Sequence, residues 1–360
     1  MNFNSFFLKS FRVLLLPISL LYGLIIIIRN FLYDRKIFHT ATFNLPIICI
    51  GNLAMGGTGK SPMVEYLIEL LQDKFGIAIL SRGYKRKTSG YAMATENSTA
   101  LDIGDEPMQF HTKFPQVTVA VGEERIVAVP HILQDKPETQ AIILDDAFQH
   151  RAILAGLNIL LTVYNDRFTD DFFFPTGHLR DQWSSAKRAE IIVVTKCPSN
   201  LAEDEKEKIT QQLKRNETQR IFFSTIEYQT PYHIITKDKK TFSEEDEILL
   251  VYGIANPQPL KEYISENTAE YEEMSYNDHH IFSIDDLKDI SKKFGKIQAA
   301  NKLILTTEKD AVRFLKFKEQ LVNLPLYVLP VKHAFLFNEA DEFNRIVIDF
   351  IEGFKKDITE

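Results

Sequence analysis

Residues 46–72 read PIICIGNLAMGGTGKSPMVEYLIELLQ, and the order of parts within them decides the fold. Pro46–Ile50 has strand character, a glycine-rich loop follows from Gly51, and from Met63 apolar residues recur at helical spacing. Strand, loop, lysine–hydroxyl pair and helix, in that order, are what a nucleotide phosphate loop requires. Gly56, Gly57 and Gly59 let the backbone curl so that its N–H groups converge on phosphate oxygens. The candidate ATP contacts are Ala54, Met55, Gly56, Gly57, Thr58, Gly59, Lys60 and Ser61, with Lys60 charging the β/γ side and Ser61 offering a hydroxyl to Mg²⁺. Ala54 stands at the first position of G-x-x-x-x-G-K-[ST], so the match rests on context as well as pattern.

AIILDD at 141–146 supplies the other half of such a site: an apolar strand ending in two carboxylates. Asp145 is expected to approach Mg²⁺, directly or through water, at the strand's C-terminal edge. Consecutive strand residues face opposite sides, so Asp146 is expected to differ in role. Further strands are predicted at Ile77–Leu80, Val117–Val121, Ile159–Val163 and Ile191–Val194. Several are apolar without alternation, as strands buried on both faces of a parallel sheet are. The expected fold is α/β, a P-loop kinase-like α/β/α sandwich. Thr195-Lys196-Cys197-Pro198 lacks the aspartate of an N-K-x-D loop that reads guanine, which favours ATP. Met55 stands where the membrane-associated partitioning and ion-pump ATPases carry an extra lysine.

Beyond a charged helix, Ile221–Tyr228 and Tyr232–Thr236 are expected to pair as a ribbon. Ile248–Tyr252, Lys302–Thr306 and Leu326–Leu329 then predict a second, smaller α/β domain. The expected division is an N-terminal membrane-associated helix (1–36), a nucleotide-binding domain (37–220), a two-stranded hinge (221–240) and the smaller domain (241–360).

The 360 residues carry 42 basic and 49 acidic side chains, a net charge of −7. Residues 1–40 oppose that balance, with Lys9, Arg12, Arg29, Arg35 and Lys36 against Asp34 alone. The acidic remainder excludes a nucleic-acid binder, because phosphate contacts dominate that affinity. The basic, apolar N-terminus suits an anionic membrane surface. Val13 to Ile28 carries no charge. As a helix that run is about 24 Å long, short of a hydrocarbon core of roughly 30 Å. A helix lying in the interface and facing the cytoplasm is preferred over a tilted span or a buried core helix. The two cysteines, Cys49 and Cys197, sit in or beside apolar runs, which fits a reducing compartment and excludes a cysteine zinc site. No obligate protein partner is expected.

Phosphoryl transfer to an alcohol needs a group near the hydroxyl and cations for the equatorial oxygens. Gly104-Asp105-Glu106-Pro107 offers Asp105, which reads equally as the N-cap of the next helix. Asn277-Asp278-His279-His280 offers a histidine that tunes Asp105 only if the two domains close; otherwise it is an exposed loop histidine. Arg180, in PTGHLRD, is a candidate anion clamp or an incidental ion pair, and Asp278 is a second candidate substrate or phosphate contact. In TTEKD at 306–310, Thr307 reads as a cap or as a functional residue.

The motifs GNLAMGGTGKSP, SRGYKR, GDEP, ILDDAFQH, FPTGHLRD, VTK, GIANP, NDHH and TTEKDAVRF occur in this order from about residue 45 to residue 314. Together they resemble the tetraacyldisaccharide 4'-kinases of lipid A biosynthesis. The resemblance implies transfer of the γ-phosphate of ATP to the 4'-hydroxyl of a membrane-embedded, tetraacylated glucosamine disaccharide 1-phosphate, at the cytoplasmic face of a bacterial inner membrane. It also implies that residues 54–61 hold the triphosphate, that Ser61, Asp145 and Asp146 serve Mg²⁺, and that Asp105 is the base with His279 as its partner. Ser61 for threonine, Ala147 for glycine and Asp181 for glutamate are mild departures that remove no catalytic group. The rival reading is a membrane-peripheral P-loop ATPase acting on a protein partner.

Overall fold

The computed structural model describes residues 12–359, apart from 215 and 269. Helix α1 (Leu16–Asp34) comes first. The part of the expected membrane segment before Arg12 lies outside the described residues. Strands β1 (Ile47–Asn52), β2 (Ile77–Ser81), β3 (Ala92–Met93), β4 (Thr118–Val121), β5 (Ala141–Asp145), β6 (Leu157–Val163), β7 (Ile191–Thr195) and β8 (Arg220–Tyr228) build most of a large sheet. A second sheet holds β9 (Tyr232–His233), β10 (Glu247–Tyr252), β11 (Glu270–Ser275), β12 (Lys302–Thr307) and β13 (Leu326–Leu329). The chain then returns, and β14 (Val331–Phe335) completes the first sheet in the order β14-β8-β7-β6-β1-β5-β2-β4-β3. The smaller sheet runs β11-β10-β12-β13-β9.

In the large sheet only β3 and β14 run antiparallel to their neighbours. Every residue of β1 is buried, because helices cover both faces. Ile48 and Ile50 face Met63, Val64, Leu67 and Ile68 of α2 (Lys60–Leu71), while Ile47 and Cys49 join a core containing Ala128, Val129 and Ile132. The first strand, P-loop helix and carboxylate strand thus form as their apolar runs require. Ile50 lies opposite Asp145 in register, which brings the loop and the paired carboxylates to one sheet edge.

Two expectations are corrected. β8 does not pair with the segment after it: its partners are β7 and β14, whereas Tyr232 and His233 pair with β13. Phe222 and Phe223 are buried as part of the large sheet, and this fixes β8 there. The hinge is therefore an antiparallel ribbon of β8 and β14, one strand leading out to the small domain and the other leading back. The C-terminal segment, expected in the smaller domain, also belongs to the large one. Phe343, Val347 and Ile351 of the last helix recur at i, i+4, i+8 and pack beside Phe222 on the α2 face of the large sheet.

A buried charge triad joins the domains. Lys113 of α3 (Asp105–Lys113) lies 2.5 Å from Glu65 of α2 and 2.8 Å from Glu308, the first residue of α4 (Glu308–Phe314) in the small domain. One ammonium between two carboxylates leaves surplus negative charge. Burial and then Glu308 push the Glu65 carboxyl up to about 7 despite Lys113.

Helix α1 is fastened to the body along its length. Ser19, Gly23, Ile26 and Asn30 form its buried stripe. Ser19 Oγ donates to Thr176 Oγ1 at 2.7 Å, Tyr22 Oη donates to the Arg180 carbonyl at 3.3 Å, and Arg29 reaches the Gln149 carbonyl at 3.0 Å. Asn30 Nδ2 donates to Asp181 Oδ1 at 2.7 Å, and Asp181, fully buried, also pairs with Arg188 at 3.0 Å. A Cβ at Gly23 would stand 2.6 Å from the Phe173 ring, so only glycine permits that approach. The opposite face is apolar and open, with Leu20 64% and Leu21 60% exposed, and Phe172 of the adjoining loop is 65% exposed.

Candidate active site

The loop leaves β1 at Asn52, whose Nδ2 donates to Thr58 Oγ1 at 3.0 Å. Gly56 and Gly59 have φ of +121° and +85°, where a side chain is strained. At Gly59 there is a second constraint, since a Cβ would lie 3.0 Å from His333 Nε2. His333, on β14, donates Nε2–H to the Gly59 carbonyl at 2.9 Å, and its Nδ1 accepts from Ser224 Oγ of β8 at 3.0 Å. Burial pushes this imidazole down to about 4, so it is neutral at physiological pH. Both strands of the hinge ribbon therefore support the loop.

Lys60 opens α2 with Nζ 3.9 Å from Asp146 Oδ2. Asp146 leaves β5 with φ +48° and receives both arms of Arg180, one of them at 3.1 Å; Arg180 also bonds Asn52 Oδ1. Burial alone would raise the Asp146 carboxyl, but Lys60 and Arg180 hold it below the ordinary carboxylate range. Asp145 turns the other way. Its Oδ2 accepts from Ser81 Oγ at 2.8 Å, and its Oδ1 is buried with no hydrogen-bond partner. Burial, then Glu106 and Asp146, push Asp145 up to about 7. Ser61 Oγ donates to Glu106 Oε1 at 3.3 Å.

An orphaned carboxylate oxygen in surplus negative charge, beside a hydroxyl, is a donor set that suits a hard dication. Among the described residues there is no group of three or more His, Cys, Asp or Glu arranged as a metal cage.

A second cluster joins the two domains. The N-cap of α3 is Gly104, and no side chain caps the helix, so Asp105 occupies its first turn with its carboxylate free for other work. The capping reading of Asp105 is thereby displaced. Asp105 Oδ2 accepts from His279 Nδ1 at 2.7 Å and from Arg313 Nη2 at 2.8 Å. His279 Nε2 lies 3.3 Å from Lys309 Nζ, which also pairs with Asp278 Oδ1 at 2.9 Å. His279 thus spans the two domains, with Nδ1 on Asp105 and Nε2 facing Lys309 and, at 3.7 Å, Asp278 Oδ2. Arg313 is steadied by Asp310 Oδ1 at 2.8 Å, and the other Asp310 oxygen accepts from the Gly253 N–H at 2.9 Å. Burial would raise Asp105; the bonds from His279 and Arg313 outweigh it and keep the carboxyl below its ordinary value, ionised at neutral pH.

The structure thus gathers residues 54–61, Asp145, Asp146 and Arg180 in one cluster and Asp105, His279 and Asp278 in another. Glu106 links them through Ser61. Thr307 caps α4, accepting from Asp310 N–H at 3.1 Å. His280 turns away to Asp286 at 3.1 Å and stacks on Tyr276. Sequence reasoning missed Arg313 and gave Lys309 no partner. Their i, i+4 spacing in TTEKDAVRF, one face of a helix, was the available signal.

The model of the family described as tetraacyldisaccharide-1-P 4'-kinase matches residues 11–352. The chain is 45% identical over 344 residues to a tetraacyldisaccharide 4'-kinase of Flavobacterium johnsoniae, covering 95% of this chain and 97% of that one. It is 42% identical over 352 residues to the Bacteroides thetaiotaomicron protein of the same name, covering 94% and 92%. The crystal structure of LpxK from Aquifex aeolicus in complex with ATP superposes with a TM-score of 0.74 at 26% identity, covering 95% of this chain and 99% of that one.

Proposed function

Since the chain belongs to the tetraacyldisaccharide-1-P 4'-kinase family, we propose that it moves the γ-phosphate of ATP to the 4'-hydroxyl of a tetraacylated glucosamine disaccharide 1-phosphate, with Asp105 as base. The observation that carries this reading is the 2.7 Å contact between a carboxylate of the nucleotide domain and an imidazole of the small domain. It lies one residue from the Glu106 that Ser61 touches. A P-loop ATPase working on a protein partner has no need of that convergence.

In this mechanism residues 54–61 wrap the triphosphate, and Lys60 and Arg180 supply charge to its oxygens. The acceptor oxygen attacks γ-phosphorus, the bond to ADP breaks, and the hydroxyl proton passes to Asp105. A loose transition state makes that transfer late, so a weakly basic but well-held carboxylate suffices. His279 and Arg313 orient the carboxylate; Lys309 and Asp278 orient His279. Ser61, Asp145 and Asp146 would hold Mg²⁺, which when bound neutralises charge developing on the phosphate oxygens.

The test is transfer of labelled γ-phosphate from ATP to detergent-dispersed tetraacyldisaccharide 1-phosphate, beside an ATP-only control. Labelled lipid is expected. ATP hydrolysed with no labelled lipid would favour the ATPase reading.

The family and the open apolar face of α1 support membrane association. We place the enzyme at the cytoplasmic face of the inner membrane with α1 lying flat. Its contacts with the body run from Ser19 to Asn30, about 17 Å of helix at 1.5 Å per residue. A helix fastened to a polar loop over that length is held from crossing the bilayer alone. The acyl chains of the substrate stay in the membrane, sparing about 0.8 kcal/mol per CH₂ that extraction would cost. Cys49 and Cys197 are buried, so a cysteine introduced at Val13 or at Ile37 reports cleanly. In membrane vesicles both are expected to react with impermeant maleimide from the cytoplasmic side only. Opposite sidedness of the two would show a span.

A further inference from the structure

The end of the phosphate loop is held by two strands other than the one it leaves. Thr195 Oγ1, on β7, donates to the Thr58 carbonyl at 2.9 Å. His333 Nε2, on β14, lies 2.9 Å from the Gly59 carbonyl, which also accepts the Met63 N–H at 3.1 Å as the first bond of α2. Two consecutive carbonyls are thus engaged from outside the loop. A carbonyl only accepts, so the imidazole proton sits on Nε2. Nδ1 meets Ser224 Oγ of β8 at 3.0 Å. Histidine and serine are both buried, so with both nitrogens engaged the ring has one orientation.

A planar trans peptide points its C=O and its N–H in opposite directions. A carbonyl of Gly59 drawn toward β14 therefore turns the Lys60 N–H away from β14. In the same way the Thr58 carbonyl, drawn toward β7, sets the Gly59 N–H. Gly59 stands between these two peptide planes with φ +85° and ψ +24°. A left-handed residue in such a run lets successive N–H groups converge into an anion-binding concavity. Among the described residues neither of these two N–H groups has an acceptor.

We propose that His333 is a positioning residue for phosphoryl transfer: its bond to the Gly59 carbonyl fixes the Gly59–Lys60 peptide so that the Lys60 N–H, and not only the Lys60 ammonium, meets a phosphate oxygen. His333 touches no phosphate and acts through that peptide. The two bonded residues are 274 positions apart, with the whole small domain between them in sequence. At the start of β14 the Val331 N–H donates to Glu308 Oε2 of α4 at 3.2 Å, so the strand that carries His333 is itself tied to the small domain. The nucleotide domain alone thus lacks one support of its own triphosphate site. The inference rests on the reading of residues 54–61 as the triphosphate loop.

The experiment measures binding of Mg-tripolyphosphate, a probe with the phosphates and no nucleoside, by calorimetry on the full chain. Glutamine carries its amide nitrogen about where imidazole has Nε2, and asparagine about where it has Nδ1. His333→Asn, which keeps a partner for Ser224 only, is expected to raise the Kd about tenfold. His333→Gln, which keeps a donor for Gly59, is expected to restore most of the affinity. A purely packing role would not separate the two in that order. In wild-type protein labelled with 15N-histidine, the His333 resonance, assigned by its absence from His333→Gln, should show Nε2 protonated and should shift when Mg-tripolyphosphate is added. That measurement stands whether or not a variant folds. Unchanged affinity in His333→Asn would overturn the proposal, and so would equal losses in both variants or an unprotonated Nε2. Wild-type protein that does not bind the probe would sink the loop reading itself, and this proposal with it.

Discussion

Asp105→Ala is expected to lower kcat for lipid phosphorylation by about 10²–10⁴, or roughly 3–5 kcal/mol of barrier, with the ATP dissociation constant unchanged. The argument starts from the two bonds that Asp105 accepts, 2.7 Å from His279 and 2.8 Å from Arg313. Neither partner touches the phosphate loop, and Asp105 itself makes no bond to residues 54–61, so the loop keeps its ATP contacts when the carboxylate goes. Arg313 retains Asp310 and is not left as an unpaired buried charge. Asp105→Asn is the sharper variant, since it turns an NH₂ group or a poorer acceptor toward two donors without opening a cavity. Because Asp105 is held below the ordinary carboxylate range, it stays ionised at every pH from neutral down to that range, and its own titration puts no acid limb near neutral pH. Steady-state kinetics beside equilibrium ATP binding provide the check. Near-wild-type turnover in Asp105→Ala would remove Asp105 from the role of base while leaving the kinase assignment intact.

Lys60→Ala is expected to act differently, damaging nucleotide binding and turnover together. Lys60 is the first residue of α2 and the cation of the loop, 3.9 Å from Asp146. Losing a charge-assisted donor to phosphate costs about 1.5–3 kcal/mol of binding, and losing the charge that follows the transferring group costs a further 10²–10³ or so in kcat. Asp146 keeps Arg180, so the carboxylate strand remains neutralised. The measurement is KM for ATP and kcat, with tripolyphosphate binding as a probe free of the nucleoside. An unaltered kcat with a raised KM would assign Lys60 to uniform binding alone.

Much of this was legible in the chain because the P-loop and its carboxylate strand are contiguous. Pro46–Ile50 and Ala141–Leu144 were read within a residue or two of β1 and β5, since apolar runs buried on both faces need no partner to be recognised. Residues 54–61 and Asp145–Asp146 follow from those strands by geometry. The small domain's contribution was less visible. Arg313 looks like an ordinary helix residue until α4 is laid against α3, and a contact across 208 positions leaves no local trace. The same holds for β14 and the last helix: the stripe of Phe343, Val347 and Ile351 announces a helix but not which sheet it covers. The ribbon is not legible in the sequence because β8 and the segment after it are neighbours in sequence and equally strand-like, while Tyr228 of β8 pairs with the distant Val331.

The fastening of α1 has a consequence for how the protein is made. Asn30 and its partner Asp181 are 151 positions apart. At the usual 5–20 residues per second the helix waits roughly 8–30 s before that partner is synthesised. Throughout that interval its apolar face is complete and its polar stripe is uncovered. On the flat placement proposed above, the bilayer would be the first surface α1 meets, and the body would fold onto a helix already seated there. Ribosome-bound chains stopped short of residue 181 should therefore float with vesicles; chains that stay in the soluble fraction until the domain is finished would show that folding precedes docking.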